Sequence, residues 1–287
     1  MITASDISKL RAQTGAGMMD CKAALEEAQG DMEKAGEVLR KKGVVKAAKR
    51  ADKIAAEGAT VVKVAGNTAV VAEINSETDF AAGSDDFKKL TDEIIADLIT
   101  KKPVDLDSAL SGGLSDKIAT VVGKIGEKIS LRRFAVVEKS DNEAFGDYLH
   151  MGGKISVLTV LTGTTDSALA REVSMHAAAA FPKYLNRGEV PAEVLEKEKE
   201  IATEQLKAQN KPQNIIEGIL KGKMEKFYSE VCLVDQAFVK DEDKTIAKFL
   251  ESKGAGIAVK QFFRYELGEG IEKKACDFAA EVAEQMK

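Results

Sequence analysis

Four carboxylates crowd one short stretch: in residues 74–87, INSETDFAAGSDDF, Glu77, Asp79, Asp85 and Asp86 surround Phe80. Oxygen donors at that density are what a hard divalent cation such as Mg²⁺ or Ca²⁺ takes. The spacing is not that of an EF-hand loop, which wants ligands at alternate positions and a Glu at the twelfth. Asp85 and Asp86 follow Ser84, a good helix N-cap, and acids in a first helical turn complement the helix dipole without any ion. Capping therefore accounts for the second pair and leaves Asp79 and Phe80 without a local role.

Elsewhere the inventory for catalysis is thin. The chain has two histidines, His150 and His176, and none of the nucleophile-elbow, Walker or dinucleotide-loop motifs. Gly152-Gly153 beside Lys154 imitates a phosphate loop, but the β-branched residues that follow make it a hairpin turn. His176 lies in an alanine-rich helical stretch and reads as a partly buried core residue, with a partner contact as the sharper alternative. His150, at a turn, reads as exposed. Cys21, Cys232 and Cys276 are far apart and form no CxxC or Cys/His group, which points to reduced thiols rather than a zinc site or a disulfide framework.

Composition excludes further classes. The net charge of −5 supplies no overall basic field, whereas direct nucleic-acid binding draws most of its affinity from neutralising phosphates. Aromatic residues at 5%, with no Trp, favour a helix-rich protein with small aliphatic packing over an aromatic cleft. The opening residues MITASDISKL carry neither a basic nor an apolar leader region, and no apolar run approaches the roughly 18 residues of a membrane span. A soluble intracellular protein that meets no membrane is expected.

The elements that must position these residues read as α+β. Thr3-Ala4-Ser5-Asp6 is a capping box before a helix that stops at residues 14–17, TGAG. A second helix spans residues 18–29, Gly30-Asp31 stops it and caps a third over residues 32–42, and Gly43 reads as the stop of that one. Ile7, Leu10, Leu25, Ala28, Met32, Val38 and Leu39 form the expected core of this three-helix unit. Residues 46–58, basic and alanine-rich, read as a solvated helical linker, with a nucleic-acid arm as the sharper alternative. Two β-branched runs about Gly66-Asn67 then predict a hairpin, followed by a helix with Phe87, Leu90, Ile94 and Leu98 on one face and a strand over residues 127–138.

The same order recurs as a hairpin about Gly152-Gly153, a helix within residues 166–180 and a strand within residues 255–270, an internal duplication. Inserted in the second copy, residues 191–230 alternate Glu and Lys, place Pro191 at a first helical position and break at Asn210-Lys211-Pro212, as a helical hairpin would. In its second arm Ile216, Leu220, Met224 and Phe227 make an apolar stripe, which either folds onto the core or pairs with another copy of the chain. A terminal amphipathic helix closes the sequence. The expected domains are residues 1–54 with the basic linker, 55–139, 140–188 together with 229–267, the hairpin 189–228, and 268–287.

Residues 10–43, LRAQTGAGMMDCKAALEEAQGDMEKAGEVLRKKG, with TDFAA at 78–82, YLHMGGKISVL at 148–158 and RYELGEGIEK at 264–273, are similar to segments of bacterial-type translation elongation factor Ts, in order and over essentially the whole chain. The resemblance implies a ubiquitin-associated-like three-helix domain, a core of two related subdomains, an inserted hairpin used for dimerisation in some members, and a C-terminal helix. It also implies guanine nucleotide exchange, with no covalent chemistry and no cofactor. The partner is elongation factor Tu in its GDP-bound and nucleotide-free states. By reciprocity, a protein that prefers the nucleotide-free GTPase weakens nucleotide affinity by the same factor.

Carried over by position, Thr78, Asp79, Phe80 and Ala81 fall in the segment that dislocates the Mg²⁺ of the GTPase. Leu10, Arg11, Met18 and Met19 fall on the surface that meets its nucleotide-binding domain, and His150 at a second contact. Ile216, Leu220, Met224 and Phe227 become dimerisation candidates. Ala81 stands where the family commonly has Val and Gly83 where it has a basic residue, so the expectation rests on Asp79 and Phe80. On the residues alone two other classes stay open: a Mg²⁺-dependent enzyme built on the acidic turn, and an adaptor working through residues 1–54.

Overall fold

A computed structural model of the chain describes residues 2–207 and 213–272. The expected terminal helix with Cys276, the break at Asn210-Lys211-Pro212 and the side chain of Ile216 lie outside the described residues. Helices α1 (Ala4–Thr14), α2 (Met18–Glu27) and α3 (Met32–Lys49) open the chain. Thr3 and Asp6 cap α1 reciprocally, and the Asp31 carboxylate accepts the N–H groups of Glu33 and Lys34 at the head of α3. Leu10, Cys21, Ala24, Leu25 and Ala35 form their buried core, with Ile7, Met32, Val38 and Leu39 packed against it.

Gly43 does not end α3, which runs on to Lys49. It is instead buried where α3 crosses α7 (Ser115–Ile125): a Cβ on Gly43 would stand 2.9 Å from the Ala119 carbonyl oxygen, and one on Gly123 would stand 3.1 Å from the Gly43 Cα. Two glycines without side chains let two helix backbones approach where any larger residue would hold them apart. The basic stretch that follows keeps most of residues 46–54 exposed, as expected of a solvated linker. Residues 46–49 complete α3, and Ala55 and Ala56 are buried.

After the three helices come β1 (Glu57–Ala65), β2 (Thr68–Ser76), α4 (Asp79–Gly83), α5 (Asp85–Lys101), α6 (Leu106–Ala109), α7 and β3 (Ile129–Glu138), with the sheet ordered β1-β2-β3. Phe87, Leu90, Ile94 and Leu98 are buried on one face of α5, as their spacing predicts. Between α5 and β3, where the sequence reading names no element, lie α6 and α7. Next are β4 (Ala144–His150), β5 (Ile155–Thr162), α8 (Ser167–Ala180), the hairpin α9 (Ala192–Lys207) and α10 (Gln213–Val231), then β6 (Ala237–Phe238), β7 (Asp241–Thr245), α11 (Ile246–Lys253) and β8 (Ala258–Glu266). β4 and β5 pair antiparallel from Ala144 opposite Leu161 to His150 opposite Ile155, and the sheet is ordered β4-β5-β8.

In both sheets the second strand of the hairpin is central and the returning strand takes its other edge, so the duplicated order is also a duplicated topology. The chain forms two compact units, one from Met1–Thr60, Ala72–Phe134 and the residues from Glu266 on, the other from Val61–Val71 and Ala135–Tyr265. In the second, α8 packs on β4 and β5, and its Val173 and Ala177 share a buried core with Phe249 and Leu250 of α11, where Phe238 stacks on Phe249 at 4.2 Å between ring centroids.

The hairpin stripe is largely covered within the chain. Met224 is buried, Leu220 and Phe227 are half-buried, and Phe227 packs near Val190, Leu195 and Val231. Buried Ala202 and Leu206 on α9 belong to the same packed pair of helices. Met224 is therefore core rather than an open dimer contact. No described helix is long and apolar enough to cross a membrane.

Candidate functional site

β2 is buried along its whole length, and the chain leaves it at Ser76 into a turn fixed from several sides. The Ser76 hydroxyl donates to the Thr78 carbonyl at 2.8 Å. Thr78 adopts an extended conformation and caps α4: its hydroxyl oxygen accepts the Ala81 N–H at 3.2 Å. The same hydroxyl donates to the Glu127 carboxylate at 2.8 Å, and the Thr78 N–H donates to its other oxygen at 3.0 Å. Ser84 closes the turn, giving its hydroxyl to the Ala81 carbonyl and accepting the Phe87 N–H that begins α5. Ala81 is buried beneath it.

On this braced turn stands Phe80, 88% exposed, with exposed Asp79 beside it. No packing explains a phenylalanine there. A buried Phe gains about 1.5–3 kcal/mol over an exposed one, and the free chain leaves that gain unrealised.

The four carboxylates that open the sequence reading go separate ways. Glu77 accepts Arg50 Nη1 at 2.7 Å and the Lys128 N–H at 2.6 Å. Asp86 pairs with Lys124 at 3.4 Å. Asp85 lies in the first turn of α5, where Ser84 is the N-cap. Among the described residues no group of three or more His, Cys, Asp and Glu is arranged to hold a metal ion.

The remaining site residues divide by exposure. Leu10 is 1% exposed and belongs to the three-helix core, so it offers no surface; it supports one. Its neighbours Arg11, Met18 and Met19 are exposed, Met19 at 76%. Thr78 and Ala81 hold the turn in place, and only Asp79 and Phe80 project from it. In the second compact unit, half-buried His150 sits at the end of β4. Its Nδ1 lies 3.1 Å from the Tyr148 hydroxyl, and Leu149 and Met151 around it are exposed. His176 is fully buried. Its Nδ1 accepts the Val239 N–H, so Nε2 carries the proton and donates to Gln236 Oε1 at 3.0 Å. Burial pushes its pKa below the ordinary 6.5.

Sequence reasoning passed over Glu127. Its partner Thr78 is 49 residues away, and nothing near Glu127 in the chain signals the contact. A family model described as elongation factor TS matches residues 77–269, well over half of the chain.

Proposed function

Because the chain belongs to the elongation factor Ts family, we propose that it accelerates GDP release from elongation factor Tu by inserting the α4 turn, led by Asp79 and Phe80, beside the Mg²⁺ and phosphate site of that GTPase. Membership implies a translation factor that exchanges nucleotide on elongation factor Tu without covalent chemistry. The carrying observation is Phe80, 88% exposed on a turn held by Thr78, Ser84 and Glu127. A turn already ordered in the free protein loses little conformational freedom on docking, so more of the burial energy remains for disturbing the partner.

The magnitudes fit. A thousandfold faster release asks for about 4 kcal/mol of selective stabilisation along the release path. Phe80 passing from water into a protein pocket supplies about 1.5–3 kcal/mol, and the Asp79 carboxylate competes for the cation with its own ligands. Arg11, Met18 and Met19 add a second contact, on the nucleotide-binding domain, with Leu10 beneath them as support. His150, flanked by Leu149 and Met151, adds a third. A second copy of this chain at the hairpin would meet Leu220 and Phe227 rather than Met224. The place of action is the cytoplasm.

The test is stopped-flow release of fluorescent GDP from elongation factor Tu mixed with the intact chain. Strong acceleration is expected. No acceleration, at concentrations where the two proteins form a complex, overturns the reading, and Mg²⁺ binding by the chain alone would favour a metal enzyme instead.

A further inference from the structure

Three separate segments meet just below the α4 turn. The first is the end of α3, where the C-cap Arg50 is followed by a non-helical stretch. The second is residues 77–78, between β2 and α4. The third is residues 127–128, just before β3. Glu77 joins the first two: Arg50 Nη1 donates to its two carboxylate oxygens at 2.7 and 3.0 Å. It joins the third as well, through the Lys128 N–H at 2.6 Å. Lys128 returns the tie, its ammonium donating to the carbonyls of Ala51 at 2.6 Å and Lys53 at 2.9 Å. Glu127 completes the junction by holding Thr78.

An exposed ion pair contributes little to stability, because water already solvates both charges and long side chains lose freedom in the pair. Glu77 is different in kind. Its side chain is only 18% exposed, and it takes a backbone N–H as well as the guanidinium. It also lies in a telling place, next to the residue that caps α4 and three before Phe80. Arg50 lies at the end of the helix that packs, within the three-helix unit, on α1 and α2. The α1–α2 surface and the α4 turn are thus two parts of one compact unit, joined farther off by the packing of α3 on α7 and, nearest the turn, by the Glu77 carboxylate.

We propose that Glu77 and Arg50 are positioning residues, which lock the three-helix unit and the α4 turn in one geometry so that Met18, Met19 and Phe80 reach the GTPase together. The inference rests on the exchange reading above and deepens it. Its physical content is pre-organisation: with the junction intact, docking of the three-helix unit places Phe80 without further ordering. With the Glu77–Arg50 pair broken, the Thr78 cap keeps α4 folded and α3 stays on α7, but the tie nearest the turn is lost and the direction of α4 relative to the end of α3 is set less tightly. The loss then falls on the saturating exchange rate more than on the concentration needed for half-saturation.

A double-mutant cycle in the full chain reads this directly. GDP release from elongation factor Tu is measured at saturation for the wild type, Glu77→Gln, Phe80→Ala and the double variant. Glu77→Gln is expected to slow release about tenfold when Phe80 is present and less than twofold when it is absent, a coupling in the range found for groups that act together. A residue that only supported the fold would slow both backgrounds alike. Arg50→Ala should reproduce Glu77→Gln while Arg50→Lys, which keeps a donor and a charge, retains most of the rate. This second pair keeps the test available if Glu77→Gln lowers the unfolding midpoint. Losses that simply multiply in the double variant overturn the positioning role alone. Phe80→Ala with an unchanged rate overturns the wedge reading and this inference with it.

Discussion

After β2 the chain builds an extra helical turn before its long helix; after β5 it does not. In the first copy of the duplicated unit, α4 occupies residues Asp79–Gly83 and is held by three side chains, Thr78, Ser84 and Glu127. In the second, Gly163 turns the chain with φ +74, and Asp166 caps α8 at once by accepting the N–H groups of Ala168 and Leu169. Gly163 is needed because a Cβ there would sit 2.4 Å from the Gly256 carbonyl oxygen. The hairpin tips differ the opposite way. The first is polar, with Asn67 Nδ2 bound to Asp141 at 2.6 Å, whereas the second carries His150 and Met151, the latter 65% exposed. Strand order and helix placement serve the core and are kept in both copies. Exposed apolar side chains serve no core, and each copy presents them at a different turn, which is where the proposed function puts its partner contacts on a shared scaffold.

The largest expected effect comes from erasing the difference. Replacing residues 78–83 with the Gly163-Thr164-Thr165 connector should leave a folded protein whose acceleration of GDP release is lost by about a thousandfold, some 4 kcal/mol of selective stabilisation. Retained acceleration would break the comparison. A smaller effect is expected at the other turn. His150→Ala with Met151→Ala should raise the half-saturating concentration about tenfold, the scale of one good interface contact, while leaving the saturating rate in place.

The two caps sharpen the contrast further. Thr78→Val and Asp166→Ala should each cost about 1 kcal/mol in denaturant unfolding, yet only Thr78→Val should also slow exchange.

The smallest effect is in pH. Glu73 on β2 is opposed by burial, but the Gly268 N–H, Arg132, Arg133 and Asn75 outweigh it and hold its carboxyl below the ordinary 4.5. Its contribution to stability is present above pH 4.5 and lost as the pH falls through the lower native value. His176 on α8 is also depressed by burial, so its contribution is present above pH 6.5 and lost as the pH falls below that. Amide exchange followed from pH 7.5 to 5.5 should therefore loosen α8 while sparing β2, and β2 should follow only below pH 4.5.

Local physics made much of this legible in the sequence. The turns at Gly66-Asn67 and Gly152-Gly153, the Ser84 cap and the buried face of α5 each depend on residues within a few positions of one another. What escaped depends on distant chain. Gly43 reads as a helix stop unless α7 is known to cross it. Leu10 fits both the three-helix core and the partner surface by sequence, and only its burial separates these. The tie between Thr78 and Glu127 is invisible because spacing cannot pair residues 49 positions apart. Met224 reads as part of an open stripe unless the packing of α10 on α9 is known. Phe80 was legible for the opposite reason, since no local rule gives it a task and the fold supplies none.

The account stands most directly on that side chain. Release of fluorescent GDP from elongation factor Tu, driven by saturating Phe80→Ala, should be about ten- to a hundredfold slower than with the unsubstituted chain, the range that burying one Phe allows, with an unchanged unfolding midpoint. Equal rates for the two proteins would contradict the account, because an exposed phenylalanine on a braced turn would then be idle in the exchange proposed for it.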